Sequence, residues 1–343
     1  MPLSFFAFLQ QLEQEPELAV TVVLTLAVML VNGWTDAPNA IAGAVVTRAL
    51  SFSRAVALAA VCNFLGVLCV ASVNASVAET VYSIASFSGG PLAASCALCA
   101  AMGAIVLWAA AAWWLGIPTS ESHALVAGIT GAALSLEGDL SCIHWDSWGK
   151  VLVGLVLSVT AGYWGGTLGG GWLSRWRWSD WSFRRAQIPG AALTAFLHGA
   201  QDGQKFMGVF LLGLVLAQGG RGEETFSIPL WLMLLCAGTM AVGTALGGRR
   251  IIDTVGRDMA DIGPREGLSA DLSSGVCLFW TTMLGLPVST THVRTAALLG
   301  SARGGGRAVD WGVARNLVLA WVFTFPGCSA LGYVMARLFL RMM

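Results

Sequence analysis

The chain has 343 residues, of which 56% are hydrophobic and only 11% are charged. Soluble domains carry roughly 25% charged residues, so this composition excludes an ordinary soluble protein. The formal net charge is zero, which gives no indication of a nucleic-acid partner. Five apolar runs are long enough to cross about 30 Å of hydrocarbon, and they cover residues 18–34, 55–73, 92–115, 151–168 and 230–246. We therefore predict an all-α, polytopic protein embedded in membrane lipid.

The positions of the basic residues predict how the chain is oriented. Lys and Arg are enriched in cytoplasmic loops. Here they cluster near residues 48–54, 175–185, 249–265 and 303–307, whereas segments 74–91 and 137–146 have none. With the basic loops in the cytoplasm, each half crosses the membrane about five times and both termini are extracellular or periplasmic. We expect a multi-pass protein of the cell membrane, whose first run is a retained span and not a signal peptide.

The first apolar run contains a polar interruption, formed by Asn32, Gly33, Asp36, Pro38 and Asn39. Backbone groups freed at membrane depth must line a cavity or lie inside protein, because lipid cannot satisfy them. An ionised Asp36 at that depth costs at least a few kcal/mol unless it is paired. A cation, either Na⁺ or a proton, is its expected partner, and Asn39 adds a neutral oxygen ligand.

The segment that starts at Pro118 carries Thr119, Ser120 and Ser122. Pro at the first helical position and Ser or Thr at the cap predict a helix start. A helix N-terminus exposes free N–H donors and a partial positive charge, so it attracts anions. The segment is short and contains glycine, which is typical of a re-entrant-type helical hairpin.

Both motifs return in the second half of the chain. Asp202 follows Asp36 by 166 residues, and Pro287 follows Pro118 by 169. Polar interruptions duplicated within apolar segments are typical of secondary transporters. Because each half has an odd number of crossings, the two halves insert in opposite orientations, which predicts inverted repeats. We place the repeats at 1–171 and 190–343, with a cytoplasmic linker rich in Trp and Arg at 172–189.

The two helix starts would together form a hydroxyl-rich cage for a small tetrahedral oxyanion. Its candidate residues are Thr119, Ser120, Ser122, Ser289, Thr290 and Thr291. The candidate cation ligands are Asp36, Asn39, Asp202 and Gln204, with Na⁺ on the two aspartates if coupling uses sodium. The alternative for the hydroxyl side chains is a packing role between helices.

For several ionisable residues near the motifs, the sequence allows more than one role. Lys205 could pair with Asp202 or meet the anion. His123 and His292 are expected to orient the hairpin tips and not to bind metal, with a proton relay left open. Arg294 either contacts the anion or fixes one end of the second hairpin.

Four motifs resemble the inorganic phosphate transporter family, often called PiT. Residues 33–42 match its Gly-x-x-Asp-x-x-Asn-Ala-Ile-Ala element, and residues 198–208 resemble its His-Gly-Ala-Asn-Asp-Ala-Gln-Lys-x-Met-Gly element. Residues 118–125 and 287–292 match its Pro-Thr-Ser-x-Ser-His-Ala-Leu and Pro-Val-Ser-Thr-Thr-His motifs. The resemblance covers nearly the whole chain.

This resemblance implies a symporter that uses a Na⁺ or H⁺ gradient to import inorganic phosphate, with no cofactor beyond the co-transported ion. Some members of the family carry sulfate, so a sulfate or other oxyanion permease is the alternative. A homodimer is left open. Two departures from the family pattern matter: Gln201 replaces Asn, and Glu121 stands where Ser or Thr is usual. Glu121 could titrate, take up a proton with the substrate or point away.

Three other classes of protein compete with this interpretation. An intramembrane enzyme would need a nucleophile, a base and an orienting group within reach, and its key residues need not be duplicated. A passive anion channel would give no concentrative uptake. A cation transporter that used the two aspartates alone would leave the Ser and Thr residues of the tips unexplained. The duplication favours a transporter over an enzyme.

Overall fold

The computed structural model describes residues 4–115, 119–219, 227–249, 252 and 259–342, and the regular elements within those ranges are helices. In chain order they are α1 (Phe5–Gln14), α2 (Pro16–Thr35), α3 (Pro38–Val46), α4 (Phe52–Ala71), α5 (Ser76–Tyr82), α6 (Pro91–Leu115), α7 (Glu121–Glu137), α8 (Trp145–Leu173), α9 (Asp180–Ala217), α10 (Leu230–Leu246), α11 (Pro264–Met283), α12 (Thr290–Gly304) and α13 (Trp311–Met342). A short 3₁₀ turn, Leu140–Cys142, joins α7 to α8. The prediction of an all-α membrane protein is confirmed.

Within the described ranges, five helical stretches are long and apolar enough to cross a membrane, namely Pro16–Val46, α4, α6, α8 and α13. Large apolar side chains on α8 and α13, such as Val156 and Phe323, are exposed on the outer surface, as contact with lipid requires. The hairpin helices differ. Fourteen of the 17 residues of α7 and thirteen of the 15 of α12 are buried, so both lie inside protein.

The first apolar run is broken within the predicted interruption. Helix α2 ends at Thr35 and α3 begins at Pro38, which leaves Asp36 in the break. Proline suits the start of a helix because its missing N–H has no partner there in any case. The Asp36 N–H still donates to the Asn32 carbonyl at 2.8 Å. In the second half, α9 continues through Asp202 without a break, so the two aspartate motifs differ in local backbone.

Helix packing follows the sequence repeat. Helix α7 packs on α13 and α12 packs on α8, so each hairpin helix lies against the last helix of the opposite half. Two further contacts also join opposite halves: α4 packs on α9, and α10 packs on α2. Apart from the short α1 and α5, five helical segments belong to each half, α2–α3, α4, α6, α7 and α8 in the first and α9 to α13 in the second. An odd number inserts the halves in opposite orientations, and the repeats are therefore inverted.

Glycines permit the closest of these contacts. A methyl group at Gly166 of α8 would lie 2.3 Å from the Ala297 carbonyl oxygen of α12, and one at Gly300 would lie 2.0 Å from the Tyr163 carbonyl oxygen. Small residues allow backbones to approach this closely in membrane helices. The glycine-rich stretch 165–171 is therefore a helix-packing surface.

The Trp- and Arg-rich segment 172–189 contains a short turn followed by the start of α9. The indole rings of Trp172 and Trp176 meet edge to face with centroids 4.6 Å apart. The Arg185 guanidinium lies 4.3 Å from the centroid of the Trp181 ring. Aromatic and basic side chains together are typical of a membrane–water interface.

Candidate functional site

The two hairpin tips lie side by side inside the protein. Ser120 caps α7 and Ser289 caps α12, and each side-chain oxygen accepts a hydrogen bond at 3.2 Å from the backbone N–H three residues on. The Lys205 ammonium joins the tips, because it donates to Ser122 Oγ at 2.6 Å and to the Val288 carbonyl at 2.5 Å. The first N–H groups of both helices have no acceptor within their own helix. The fold thus brings together two helix N-termini and an ammonium group.

The two duplicated aspartates meet at the start of α12. Thr290 Oγ1 lies 3.2 Å from Asp36 Oδ2 and 3.2 Å from Asp202 Oδ2. Thr291 donates to Asp36 Oδ1, and the Asn39 amide donates to the same oxygen at 2.8 Å. Both carboxylates are buried. The candidate anion residues Thr290 and Thr291 therefore lie against the candidate cation residues.

Asp202 has charged and polar partners on its own helix. Lys205 Nζ lies 2.6 Å from Asp202 Oδ1, and His198 Nδ1 lies 3.6 Å from Oδ2. Spacings of three and four residues place these side chains on one face of α9. The Asn32 amide donates to Asp202 Oδ2 at 3.3 Å. Lys205 thus compensates the charge of Asp202 directly, whereas the hydrogen-bond donors to Asp36 named above are neutral.

Glu121 points into the same cluster. Its Oε1 contacts the hydroxyl of Thr35, the last residue of α2, and the side chain is buried. The Thr35 hydroxyl also lies 2.8 Å from the Val31 carbonyl. Among the described residues of this cluster, three carboxylates face one ammonium: Asp36, Glu121, Asp202 and Lys205. Such a group of buried carboxylates favours bound cations or protons.

His123 and His292 meet where the tips face each other. Their ring centroids are 4.6 Å apart and the ring planes make an angle of 69°. Phe325 of α13 stacks on His123 at 4.6 Å, and the Trp321 ring lies 3.9 Å from His292. None of the four imidazole nitrogens has a hydrogen-bond partner in the described part of the chain. Among the described residues, His123 and His292 therefore contact other aromatic rings and form no side-chain hydrogen bonds.

Arg294 turns away from the tips. It pairs with Asp271 of α11, donates from Nε to the Asn39 carbonyl at 3.2 Å, and donates from Nη1 to Ser274 Oγ at 3.2 Å. All of these side chains are buried. Arg294 therefore ties α12 to α11 and to the first turn of α3. Of its two roles left open by the sequence, these contacts support the fixing of the hairpin.

The remaining candidates have weaker contacts. Thr119 is half-buried, and Pro118 lies outside the described residues. Gln204 is buried, and neither its amide nitrogen nor its carbonyl oxygen has a partner within the described ranges. Gln201 donates to the Leu286 carbonyl at 3.0 Å, on the connection before α12. The Gln201 amide, which stands where the family motif has Asn, therefore bonds to that connection.

Sequence reasoning missed residues that reach the site from other elements. Thr35 contacts Glu121 only because α2 ends beside α7, and Asp271 meets Arg294 across a helix interface. An acidic residue inside an apolar segment signals a buried partner, so Asp271 could have been found. Within the described ranges, no group of three or more His, Cys, Asp or Glu side chains is arranged to hold a metal ion.

Inverted repeats, a broken helix, facing helix N-termini and buried acids at the repeat interface are features of a membrane transporter. Residues 32–181 and 174–332 both match the phosphate transporter family. The chain belongs to that family, which confirms the resemblance seen in its four motifs.

Individual relatives agree with this assignment, and one solved structure shares the fold. A "Probable low-affinity inorganic phosphate transporter" of Bacillus subtilis (strain 168) is 34% identical over 320 residues, covering 91% of this chain and 94% of that protein. A protein of the same description from Rhizobium meliloti (strain 1021) is 37% identical, covering 94% and 97%. A solved structure described as "The sodium-dependent phosphate transporter" superposes with a TM-score of 0.81 at 21% identity, over 96% of this chain and 100% of that one. At this identity the likeness supports the fold.

Proposed function

We propose that the chain is a secondary active symporter that imports inorganic phosphate across the cytoplasmic membrane, driven by a Na⁺ or H⁺ gradient. The observation that carries the proposal is the position of Thr290, whose hydroxyl lies 3.2 Å from carboxylates of both repeats. A helix start that favours an anion thereby adjoins two acids that need cations. Membership of the phosphate transporter family supports phosphate as the anion.

The anion binds between the hairpin tips. Ser120 and Ser289 use their side-chain oxygens to accept backbone N–H groups, so their hydroxyl protons remain available to a phosphate oxygen. Ser122 and Thr119 add hydroxyls, and Lys205 adds an ammonium at the same place. Hydrogen bonds from such donors to an ionised oxyanion are roughly twice as strong as neutral ones, which offsets the loss of the anion's water.

Cation binding explains why the two solutes would move together. Lys205 neutralises Asp202, but an ionised Asp36 leaves the empty cluster negatively charged and repulsive to phosphate. A cation on Asp36, with oxygen ligands from Asn39 and Gln204, removes that repulsion. Phosphate therefore binds well only after the cation, which is the requirement for coupled transport.

The inverted repeats provide the two access pathways. We place both termini outside the cell, so that α3 and its contact with Arg294 lie on the cytoplasmic side of the site. The Arg294–Asp271 pair and its bond to the Asn39 carbonyl hold α3, α11 and α12 together there. Release of phosphate into the cytoplasm would require α3 to separate from that network.

Uptake of labelled phosphate into proteoliposomes tests the proposal. An imposed Na⁺ or pH gradient should produce accumulation above the external concentration, and replacement of sodium by choline separates the two driving ions. No accumulation under either gradient contradicts symport, and equilibration without accumulation indicates a channel. Stronger competition by sulfate than by unlabelled phosphate would identify a sulfate permease.

A further inference from the structure

Glu121 is a buried carboxylate to which the proposed binding of phosphate and of a cation on Asp36 gives no role. It occupies the first position of α7 and is 2% exposed. Its Oε1 contacts Thr35, and its Oε2 has no hydrogen-bond partner in the described part of the chain. A carboxylate in such surroundings is costly to keep ionised.

Few hydrogen-bond donors reach the Glu121 carboxylate, and each of them, Thr35 and Asn32, also has another acceptor. Thr35 has one hydroxyl proton, and its oxygen lies 2.8 Å from the Val31 carbonyl, which can only accept. That bond to the carbonyl four residues back is common for Thr in helices. The Thr35 hydroxyl therefore divides its single proton between the Val31 carbonyl and Glu121 Oε1, and it has none for Glu121 Oε2. Asn32, whose amide donates to Asp202, also has a buried carbonyl oxygen without a donor in the described ranges.

The sequence repeat shows what the Glu121 position does in the other half. With the 169-residue offset of the hairpin motifs, Glu121 corresponds to Thr290. Thr290 presents its hydroxyl to the carboxylates of both Asp36 and Asp202. A protonated Glu121 presents a hydroxyl at the corresponding position of the first tip. An ionised Glu121 presents a third negative charge there instead.

In the described part of the chain, Glu121 lacks the set of hydrogen-bond donors that Asp36 has and the counter-charge that Asp202 has. Asp36 receives hydrogen bonds from Asn39, Thr290 and Thr291, and Asp202 is paired with Lys205. The histidines of the tips, His123 and His292, pack against aromatic rings. Helix α6 has no Asp, Glu, Lys, Arg or His, and α13 has none from 316 to 336. Among the described residues, a proton is therefore the simplest charge compensation for Glu121.

We propose that Glu121 carries a proton across the membrane with each phosphate, so that a proton is one of the coupling ions. This inference rests on the proposed symport. An O–H bond forms when the carboxylate takes a proton from external water, and it breaks when the proton passes to cytoplasmic water; nothing is oxidised or reduced. Ionisation of Glu121 on the cytoplasmic side restores the negative charge beside the anion site, which expels phosphate.

The test compares Glu121→Gln with wild-type protein in proteoliposomes, and Glu79→Gln, an exposed position on α5, is the matched control. A pH gradient of about one unit contributes about a tenfold concentration ratio for each coupled proton. We expect phosphate accumulation under that gradient to fall by about this factor in Glu121→Gln. Phosphate exchange at equal pH should fall far less, and Glu79→Gln should match wild type in both assays.

A trapped pH indicator gives a second measurement that does not depend on accumulation. Wild type and Glu121→Gln import the same phosphate species at a given pH, so the difference in protons moved per phosphate reports the carboxyl group. We expect the variant to move one proton fewer. An unchanged proton count, or unchanged accumulation, overturns the inference.

The wild-type protein also decides the matter if the variant fails to fold. Phosphate accumulation under a Na⁺ gradient without any proton movement leaves symport in place and refutes the role of Glu121. In sodium-free medium, movement of more protons per phosphate than the transported phosphate species itself releases supports that role. No wild-type accumulation under any gradient refutes symport and this inference with it.

Discussion

His123 of the first repeat and His292 of the second meet edge to face, with ring centroids 4.6 Å apart. Each follows its serine cap by three residues and donates its backbone N–H to that cap. The caps therefore fix the first turn of both helices, and the repeat brings the two rings to the same place. The two imidazoles are therefore one direct contact between the tips. Lys205 provides a second link, because it bonds to both tips.

The packing contacts of His123 and His292 predict that the shape of these rings matters more for stability and uptake than their nitrogen atoms. We expect His123→Phe to keep stability within about 1.5 kcal/mol of wild type, because the ring volume is nearly conserved. His123→Ala should cost on the order of 3 kcal/mol, because it opens a cavity against Phe325. Unfolding in detergent and phosphate uptake are the two measurements. A folded His123→Phe protein without uptake would instead assign proton transfer to the ring.

The contact between α8 and α12 predicts opposite effects for two glycines of the same helix. A methyl group at Gly166 would lie 2.3 Å from a backbone oxygen, whereas one at Gly149 would meet nothing within 4 Å. Gly166→Ala should therefore cost about 1–3 kcal/mol through overpacking. Gly149→Ala should be neutral or stabilise by up to about 1 kcal/mol, because alanine favours the helix. Equal thermal unfolding of the two variants would contradict this packing.

The repeat explains why much of the site could be predicted from the sequence. Asp36 and Asp202 lie 166 residues apart in the chain, yet their duplication in polar interruptions of oppositely inserted halves predicts that both belong to one site at the repeat interface. The helix starts at Ser120 and Ser289 follow from Ser and Pro chemistry that acts within a few residues. Local rules combined with symmetry were therefore sufficient for these groups.

The contacts that the sequence could not supply depend on which faces of the helices meet. Nothing local indicates that Thr35 ends α2 beside Glu121, or that Arg294 turns to Asp271 and not to the tips. The exchange in which α7 packs on α13 and α12 on α8 is likewise a property of the assembled repeats. Side-chain direction within a predicted cluster therefore needed the three-dimensional structure.

The contacts of Arg294 predict that lysine cannot replace it. Three guanidinium nitrogens of Arg294 reach Asp271, Ser274 and the Asn39 carbonyl, and a lysine ammonium cannot reproduce this fork. Arg294→Met should cost about 3–5 kcal/mol, because it leaves Asp271 buried without a counter-charge. Arg294→Lys should show an intermediate loss. The measurement is chemical unfolding.

The control for Arg294 is the exposed Arg315, whose change to Met should have little effect. Adding Asp271→Leu to Arg294→Met should recover most of the lost stability, because both buried charges are then removed. Similar unfolding curves for Arg294→Met and Arg315→Met would show that the buried pair contributes nothing.

The two duplicated aspartates predict different consequences for the same substitution. Asp36 is surrounded by neutral donors, so Asp36→Asn should leave the fold intact while removing the charge that binds the cation. Asp202 is paired with Lys205 at 2.6 Å, so Asp202→Asn should also cost about 3–5 kcal/mol by leaving the ammonium unpaired. Both variants should lose gradient-driven phosphate uptake.

Removal of Lys205 together with Asp202 separates stability from transport. In Asp202→Asn combined with Lys205→Met, no unpaired ammonium remains, so most of the stability should return. Uptake should stay absent, because the ammonium that joins Ser122 to the second tip is also lost. Thermal unfolding in detergent and labelled-phosphate uptake report the two properties independently. If both single aspartate variants accumulated phosphate at the wild-type rate, the assignment of the coupling ion to these carboxylates would be wrong.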